Sequence, residues 1–358
     1  MGSYTPYALL ALLLVGFQMR GVWLAGPAIV FLAVIPSLDL IFGEDLVSFS
    51  IDDFLEIQIR LCRLAPYGFI VGYVVLFFVY ARIAGGLRAW EFFLATTSMG
   101  AVASINVAAA HELIHKHSRL AKGFGRLGFC FVAYMHFEYL HLFGHHRDAG
   151  TEEDNHTAWY GEAFGMYLIR TVRDAIAFCN NFENARLKRR GINTLSLQNR
   201  LLWFLCLPVV LSACLFISLG WLSVLFYFGQ ALIAIVSLEA VSYIEHYGLM
   251  RDRAGSGYDP MDNRHSWNSY HRFSNYLTFM LQRHSEHHLK PTKDYFLLGT
   301  NGESPKLPVG YPLLILLMLS NKYWRKTIDP LLPRTPAPND AAVAAQRPTS
   351  QPFGKRCA

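Results

Sequence analysis

The chain has 358 residues, of which 53% are hydrophobic and only 16% are charged, and its formal net charge at pH 7 is +6. Soluble domains carry about a quarter charged residues, so this composition excludes an ordinary soluble globule. The 6 cysteines include no C-x-x-C pair, so the sequence predicts neither a disulfide framework nor a thiolate metal site. The small excess of basic residues predicts attraction to lipid headgroups and no nucleic-acid partner.

A helix needs about 20 consecutive apolar residues to cross a bilayer, and six segments approach that length. They cover approximately residues 5–19, 21–41, 65–83, 89–110, 199–219 and 221–244. The first is short, but "MGSYTPY" lacks the positive start of a signal peptide and a second apolar run follows at once. It is therefore interpreted as an anchor. The predicted fold is all-α and integral to the membrane, a bundle of six transmembrane helices.

Basic residues set the expected orientation, because loops rich in Lys and Arg stay on the cytoplasmic side. The turns after the first, third and fifth segments are short and poor in basic residues, whereas the 111–198 segment and the C-terminal region hold many. Both regions are predicted to be cytoplasmic, and with six spans so is the N-terminus. Residues 1–335 are predicted to form one membrane domain, and the Pro/Ala-rich residues 336–358 a disordered tail.

All 14 histidines lie between residues 111 and 288, and most of them are clustered. The clusters "HELIHK", "HLFGHH", "IEHYG" and "LQRHSEHH" supply His111, His115, His141, His145, His146, His246, His284, His287 and His288. Three clusters contain histidines at i and i+4, a spacing that places two imidazoles on one helix face within reach of a common metal. The first cluster ends the fourth span and "IEHYG" ends the sixth. The sequence therefore predicts a metal site at the cytoplasmic mouth of the bundle.

Nine imidazoles exceed what one ion takes, since a zinc site keeps about four ligands. "HELIH" also matches the H-E-x-x-H helix of zinc hydrolases, so an intramembrane zinc protease is an alternative. That alternative leaves the other clustered histidines unexplained. A transporter is a further alternative, but it would favour charged groups at the membrane midplane. Ligand counting favours two metals without selecting iron, because imidazole suits Zn, Cu and Fe alike.

These motifs resemble those of the membrane-bound di-iron oxygenases and desaturases, and most closely those of the bacterial alkane 1-monooxygenases. The patterns H-x3-H, H-x3-H-H and H-x2-H-H occur in order, together with "FGED", "YIEHYGL", "RHSWNS" and "LPVGYP". The resemblance implies that the nine clustered histidines ligate two iron ions, with O2 as co-substrate. It also implies terminal hydroxylation of medium- to long-chain alkanes, or similar apolar alkyl substrates, to 1-alkanols.

The resemblance further implies partners and a location. Electrons would come from rubredoxin and rubredoxin reductase, and the alkane would arrive from the lipid bilayer of a bacterial inner membrane, with the active site on its cytoplasmic side. A lipid or fatty-acyl desaturase and a xylene-type methyl hydroxylase are alternatives with the same metal site. The chain departs from the family pattern at Leu140, where a glutamate is expected, and at "AGTEEDNHTA" after "GHHRD".

Metal-bound imidazoles need a partner for the second ring nitrogen, and nearby side chains are predicted to supply it. The candidates are Glu112, Glu138, Asp148, Asp154, Glu245 and His265. The remaining histidines are interpreted as surface or packing residues, with His136 the nearest of them to a supporting role. They are His117, His136, His156 and His271.

The second span is predicted to control which chain lengths are accepted. Phe31 lies about two turns before Asp39, which ends the apolar run, so the two are roughly 12 Å apart along the helix axis. A medium-length alkyl chain covers a comparable distance, so Phe31 is predicted to line the substrate channel. The small residues of the fourth span, "TTSMGAVASINVAAA", either leave room for a narrow tunnel or serve close helix packing.

Overall fold

A computed structural model describes residues 2–255 and 257–333, and in it the chain is predominantly helical. The helices are α1 Tyr7–Met19, α2 Gly21–Phe42, α3 Glu56–Ile83, α4 Ala89–Ile114, α5 Arg119–Cys130, α6 137–148, α7 Phe164–Arg189, α8 Arg200–Leu219, α9 Trp221–His246, α10 Arg272–Leu277, α11 His284–Leu289, α12 Tyr311–Met318 and α13 Asn321–Ile328. The strands in this part of the chain, β1 Arg253–Ala254 and β2 Gly257–Tyr258, pair antiparallel. The predicted tail, 336–358, lies outside the described residues.

Helices α2, α3, α4, α8 and α9 are long and apolar enough to cross a membrane. They match five of the predicted segments, although α3 begins at Glu56 rather than at residue 65. By contrast, α1 has 13 residues. At 1.5 Å per residue it is about 20 Å long, shorter than the ~30 Å hydrocarbon core. The multi-pass helical membrane fold is confirmed, but helix length alone supports five of the six predicted crossings.

The second span is not a regular α-helix. It opens with a 3-10 turn, Gly21–Ala25, and contains a π-helical turn, Val30–Val34, between two α-helical pieces. The π turn ends at Val34, and Pro36 lies two residues further on. Proline has no backbone N–H, so the regular hydrogen-bond ladder is interrupted there. Phe31 lies in the π turn and is 6% exposed, so its side chain faces the protein rather than lipid.

The small residues of α4 bring neighbouring helices close to its backbone. A Cβ atom added at Gly100 would lie 2.7 Å from Cβ of Ile233 on α9. A Cβ atom added at Gly125 of α5 would lie 2.9 Å from the carbonyl oxygen of Ala110. Glycine and alanine therefore allow these helix pairs to approach more closely than larger residues would. Around these positions the structure favours close packing over the tunnel that the sequence left open.

Residues 119–136 pack into the bundle, although they belong to the basic 111–198 segment, in which the sequence predicted no apolar helix. Helix α5 packs against α4 and α3, and Phe131 after it is buried. Its terminal carbonyl groups are satisfied by a span, since Tyr227 Oη donates to Cys130 O at 2.6 Å and Gln230 Nε2 donates to Phe131 O at 2.7 Å. Unpaired carbonyl groups in an apolar bundle cost several kcal/mol each, so these side chains make the insertion possible.

Helices α4 and α9 end at the same end of the bundle, which is called the histidine end below. Asp39, the last buried residue of α2, holds helix α10 at this end of the bundle. Its Oδ1 accepts the backbone N–H of Phe273 at 2.7 Å and of Ser274 at 3.2 Å. The carboxylate satisfies free N–H groups in the first turn of α10, as a capping side chain does. This bond anchors the segment that leads into the histidine-bearing helix α11.

Candidate metal centre

The nine clustered histidines meet in two groups at the histidine end of the bundle. The five-histidine group consists of His111, His115, His141, His146 and His287. The four-histidine group consists of His145, His246, His284 and His288. Within each group the candidate ligand atoms all lie within 4.8 Å of one another. Both groups draw on α6 and α11, because successive residues of a helix point in directions about 100° apart.

One expected pairing is wrong. His141 and His145, at i and i+4, were expected to share a metal, but they fall into different groups. The reason is the π-helical turn Leu140–His145, in which the backbone closes over five residues instead of four. His146 therefore comes beside His141, and their Nε2 atoms are 3.0 Å apart.

The facing nitrogens of the five-histidine group have the spacing that a shared metal imposes. Nε2 of His141 is 2.7 Å from Nε2 of His111 and 3.0 Å from that of His115. A neutral imidazole has one donor and one acceptor, so nitrogens that converge from several rings cannot all be satisfied by one another. Two nitrogens bound to one ion at about 2.1 Å and at right angles lie about 3.0 Å apart. The donor set therefore fits a metal ion.

In the four-histidine group the ring nitrogens also face one another at short distances, and this group lies next to the five-histidine group. Nε2 of His284 is 3.1 Å from Nε2 of His246 and 2.9 Å from that of His288. The ring of His288 stacks on that of His146, from the other group, with 4.5 Å between their centres. Two ions held by these groups would thus be neighbours, as a two-metal centre requires.

Several of the clustered histidines outside the spans have lowered pKa values, which suits them to act as neutral ligands. Burial, reinforced by the neighbouring imidazoles, lowers the pKa of His141, His287 and His288 well below the ordinary value for histidine. The neutral ring offers the lone pair that a metal needs. Nε2 of His287 is buried and makes no hydrogen bond in the described part of the chain. An unsatisfied buried nitrogen is unfavourable, which is a second sign that this space suits a cation.

Three of the predicted supporting residues reach Nδ1 of a histidine in the four-histidine group. Hydrogen bonds join Asp154 to His145 at 3.0 Å and the backbone carbonyl oxygen of His265, not its side chain, to His246 at 3.3 Å. Glu245 lies 3.2 Å from Nδ1 of His284, within ion-pair distance, but this nitrogen makes no hydrogen bond among the described residues. Burial opposes ionisation of Asp154, but the adjoining imidazole of His145 outweighs it and holds the pKa of Asp154 below its ordinary value. An acceptor at Nδ1 leaves Nε2 free to face the other histidines.

The other three predicted supporting residues make ion pairs elsewhere. The pairs are Glu112 with Lys116 at 2.6 Å, Glu138 with Arg126 at 2.6 Å and Asp148 with Arg147 at 2.5 Å. The glutamate of a zinc-protease helix acts as a base beside the metal. Here Glu112 also accepts the backbone N–H of Tyr295 at 3.3 Å, and its described contacts include no clustered histidine. This geometry disfavours the protease alternative.

Sequence reasoning missed two buried residues at this site. His156, interpreted as a packing residue, is 1% exposed and lies with His145 and Asp154 in a third cluster of candidate ligand atoms. Glu239 on α9 is 0% exposed, and its Oε2 is 3.4 Å from Nε2 of His156. A carboxyl group within an apolar span was the available signal, because such groups are costly in a membrane.

The fold and the site define a class of protein: a multi-pass helical membrane protein whose clustered histidines can hold metal ions. The model of the fatty acid desaturase family matches residues 88–306. The chain is 36% identical over 235 residues to alkane 1-monooxygenase 1 of Pseudomonas aeruginosa, a match that covers 65% of this chain and 62% of that protein. It is 33% identical over 315 residues to alkane 1-monooxygenase 2 of Alcanivorax borkumensis, covering 83% and 79%.

The similarity extends to the xylene/toluene monooxygenase hydroxylase component of Pseudomonas putida, at 22% identity over 95% of this chain and 92% of that protein. The chain belongs to the fatty acid desaturase family, in the group that contains the alkane 1-monooxygenases. The family resemblance seen in the motifs is thereby confirmed. The match spans less than two thirds of the length of the Pseudomonas aeruginosa relative, namely 62%.

Removing one histidine from either group is expected to release one ion and leave the other. His287→Ala should weaken metal binding at the five-histidine group and His246→Ala at the four-histidine group, because each change deletes one ligand of one group and leaves the other group intact. After treatment with a chelator that the wild-type protein withstands, metal analysis of detergent-purified protein should show about half the wild-type metal in each single variant and almost none in the double variant. The exposed His117→Ala is the matched control and should keep all the metal. One zinc ion per wild-type chain would contradict this two-ion centre.

Proposed function

We propose that the protein is an alkane 1-monooxygenase, an oxidoreductase that converts a medium- to long-chain alkane, or a similar apolar alkyl substrate, to the 1-alkanol. The reaction combines RH, O2, two electrons and two protons to give ROH and water. The observation that carries the proposal is the pair of adjacent buried histidine groups at one end of an apolar bundle. Relatives named alkane 1-monooxygenases support the same activity.

Two iron ions would supply the O2 chemistry, which acid–base side chains cannot perform on an unactivated C–H bond. The residues of the chain would hold, orient and enclose them. The nine imidazoles are neutral ligands, so the centre would keep more positive charge than one ligated by carboxylates. Asp154 would fix the ring of His145 through Nδ1, and the Glu245 carboxylate lies within ion-pair distance of the ring of His284. The apolar surroundings would exclude water and admit a substrate that arrives from the lipid.

Electrons would come from separate proteins, rubredoxin and its reductase. The chain has neither the four-cysteine set of a rubredoxin nor a glycine-rich dinucleotide fingerprint. The region predicted to be cytoplasmic is basic, and Lys188, Arg189 and Arg190 are exposed at the end of α7. Small electron carriers are often acidic, so docking to this region should weaken as salt screens the charges.

The activity is tested with purified protein in lipid nanodiscs, supplied with rubredoxin, its reductase, NADH and O2. Octane and hexadecane should give 1-alkanols, and turnover should fall as ionic strength rises. Xylene and fatty-acyl substrates test the alternatives, since a methyl hydroxylase gives a benzylic alcohol and a desaturase gives a double bond. His287→Ala is the inactive control. Turnover with NADH and the chain alone, or products that carry only double bonds, would contradict the proposal.

A bundle of six crossings, within one membrane domain of residues 1–335, remains part of the proposal despite the short α1. Tyr7 Oη donates to Ala65 O and Tyr80 Oη donates to Leu13 O, each at 2.8 Å. Helix α1 thus runs alongside the apolar part of α3 in the same direction, and its first residues lie toward the histidine end. The excess of basic residues at that end supports a cytoplasmic location in a bacterial inner membrane.

Single cysteines test this topology in a variant without the native cysteines. Tyr4→Cys and Leu195→Cys should both be protected from a membrane-impermeant maleimide in intact spheroplasts and become reactive after lysis. Gly85→Cys, in the turn between α3 and α4, should react in intact spheroplasts and serves as the outside control. Labelling of Tyr4→Cys but not of Leu195→Cys before lysis would establish five crossings instead.

Phe31 is proposed to close the far end of the substrate channel. Its buried side chain on the π turn of α2 supports this assignment. Phe31→Ala should raise the ratio of hexadecane to octane oxidation by about tenfold, because removing an aromatic ring lengthens the space available to the alkyl tail. The neighbouring Leu32 is 37% exposed, so Leu32→Ala is the matched control and should leave the ratio unchanged. An unaltered ratio in Phe31→Ala with normal metal content would remove Phe31 from the channel.

A further inference from the structure

A buried polar pair lies beside the four-histidine group without being part of it. Glu239 of α9 and His156, on the segment between α6 and α7, are 0% and 1% exposed, and 3.4 Å separate Oε2 from Nε2. This is an ion-pair distance, and neither atom makes a hydrogen bond among the described residues. The other oxygen of Glu239 accepts a hydrogen bond from Tyr134 Oη at 2.9 Å. A carboxyl group buried in a span is costly, and an apolar residue at this position would stabilise the helix more simply.

The pair connects to the four-histidine group through Asp154, and the ring of His156 also lies edge-on to that of His145, with 5.4 Å between their centres. The backbone N–H of His156 donates to Oδ1 of Asp154 at 3.0 Å, and Oδ2 of Asp154 is 3.0 Å from Nδ1 of His145. The hydroxyl of Thr157 donates to the same Oδ2 at 3.1 Å. Asp154 therefore lies on a tight turn that His156 fixes on one side. A displacement of His156 would move this carboxylate and, with it, the ring of His145.

Glu239 is attached to the helix that also supplies His246. The two residues are at i and i+7, so they lie on the same face of α9, about 10 Å apart along its axis. Helix α9 is continuous from Trp221 to His246. The contact between Glu239 and His156 thus ties the turn that carries Asp154 to the rigid element that positions His246.

The same turn has an independent attachment on its other side. Arg170 of α7 donates to the carbonyl oxygens of Asn155 at 3.0 Å and Thr157 at 2.9 Å. These two bonds should keep the turn folded when Glu239 is replaced. Replacement of Glu239 therefore tests the orientation of Asp154 and His145 rather than the presence of the turn.

We propose that Glu239 and His156 are positioning residues of the metal centre. Together they hold the Asp154 carboxylate where it keeps Nε2 of His145 directed at the other three rings of the four-histidine group. The inference rests on the proposed metal-binding role of that group. Among the described contacts neither residue touches a member of the five-histidine group, so the effect of replacing them is confined to one ion.

Glu239→Leu and His156→Leu test the proposal, since leucine is of similar size and, at position 239, is well accepted in a span. Each should lower the metal affinity of the four-histidine group by about tenfold, the lower end of the effect of losing a partner behind a metal ligand. The double variant should be no weaker than either single variant, because both residues act through one link. The measurements are metal per chain against chelator concentration and the Mössbauer spectrum of the iron-loaded protein.

Glu183→Gln is the matched control, because Glu183 is equally buried but pairs with Arg186 at 2.6 Å. It should leave both ions in place. If the Glu239→Leu variant does not fold, the metal affinity of the His156→Leu variant tests the proposal by itself. Wild-type affinity at both groups, equal loss from both groups, or additive losses in the double variant would each overturn the proposal. None of these measurements uses alkane oxidation, so a failure of the proposed activity cannot be mistaken for a failure of this inference.

Discussion

Nine imidazoles share a space from which apolar helices exclude water, and the rest of the structure depends on that constraint. Their nitrogens converge from several rings, with 2.7 Å between Nε2 of His111 and Nε2 of His141, and neutral rings cannot all satisfy one another by mutual hydrogen bonds. Cations would relieve this arrangement, since each ion would replace several unsatisfied contacts with coordination. Several features of the fold bring these rings together. Helices α4 and α9 end at the same end of the bundle, Asp39 anchors α10 there, and the segment 119–136 packs into the bundle beside them.

Side-chain chemistry and local spacing were sufficient to predict the clustering of the nine histidines and five of the six apolar spans. The pairs His111/His115 and His284/His288 lie on regular helical turns, so the i, i+4 rule assigns each pair to one group. The rule failed for His141 and His145 because the π-helical turn changes the register by one residue. Single-sequence periodicity does not reveal such a turn. Tertiary contacts accompany it, such as the close approach of Phe178 on α7 to Gly144, and a single sequence does not show them.

Contacts between residues that are distant in sequence were predicted less well, because they also depend on tertiary structure. Asp154 and Glu245 lie near the histidines along the chain and also reach them in space. Glu112 is equally near in sequence, yet Lys116 and the backbone of Tyr295 engage it. The contact between His156 and Glu239 joins residues that are far apart in the chain, so only the folded bundle reveals it. Proximity in sequence predicts candidates, but competition among nearby basic groups determines which of them face a metal.

The insertion of residues 119–136 has a consequence for how the protein is made. The carbonyl groups at the end of α5 are satisfied by Tyr227 and Gln230, which the ribosome adds about a hundred residues later, over roughly 5–20 s of synthesis. Until α9 is in place, the carbonyl group of Cys130 would lack this partner, and that of Phe131 would keep only the longer bond, at 3.4 Å, from Tyr73 of α3. The segment should therefore reach its final position in the bundle only after α9 has been made, and the same holds for α6, which follows it. The nine clustered histidines can meet only after the last long span has arrived, so binding of a metal there would be a late step of biogenesis.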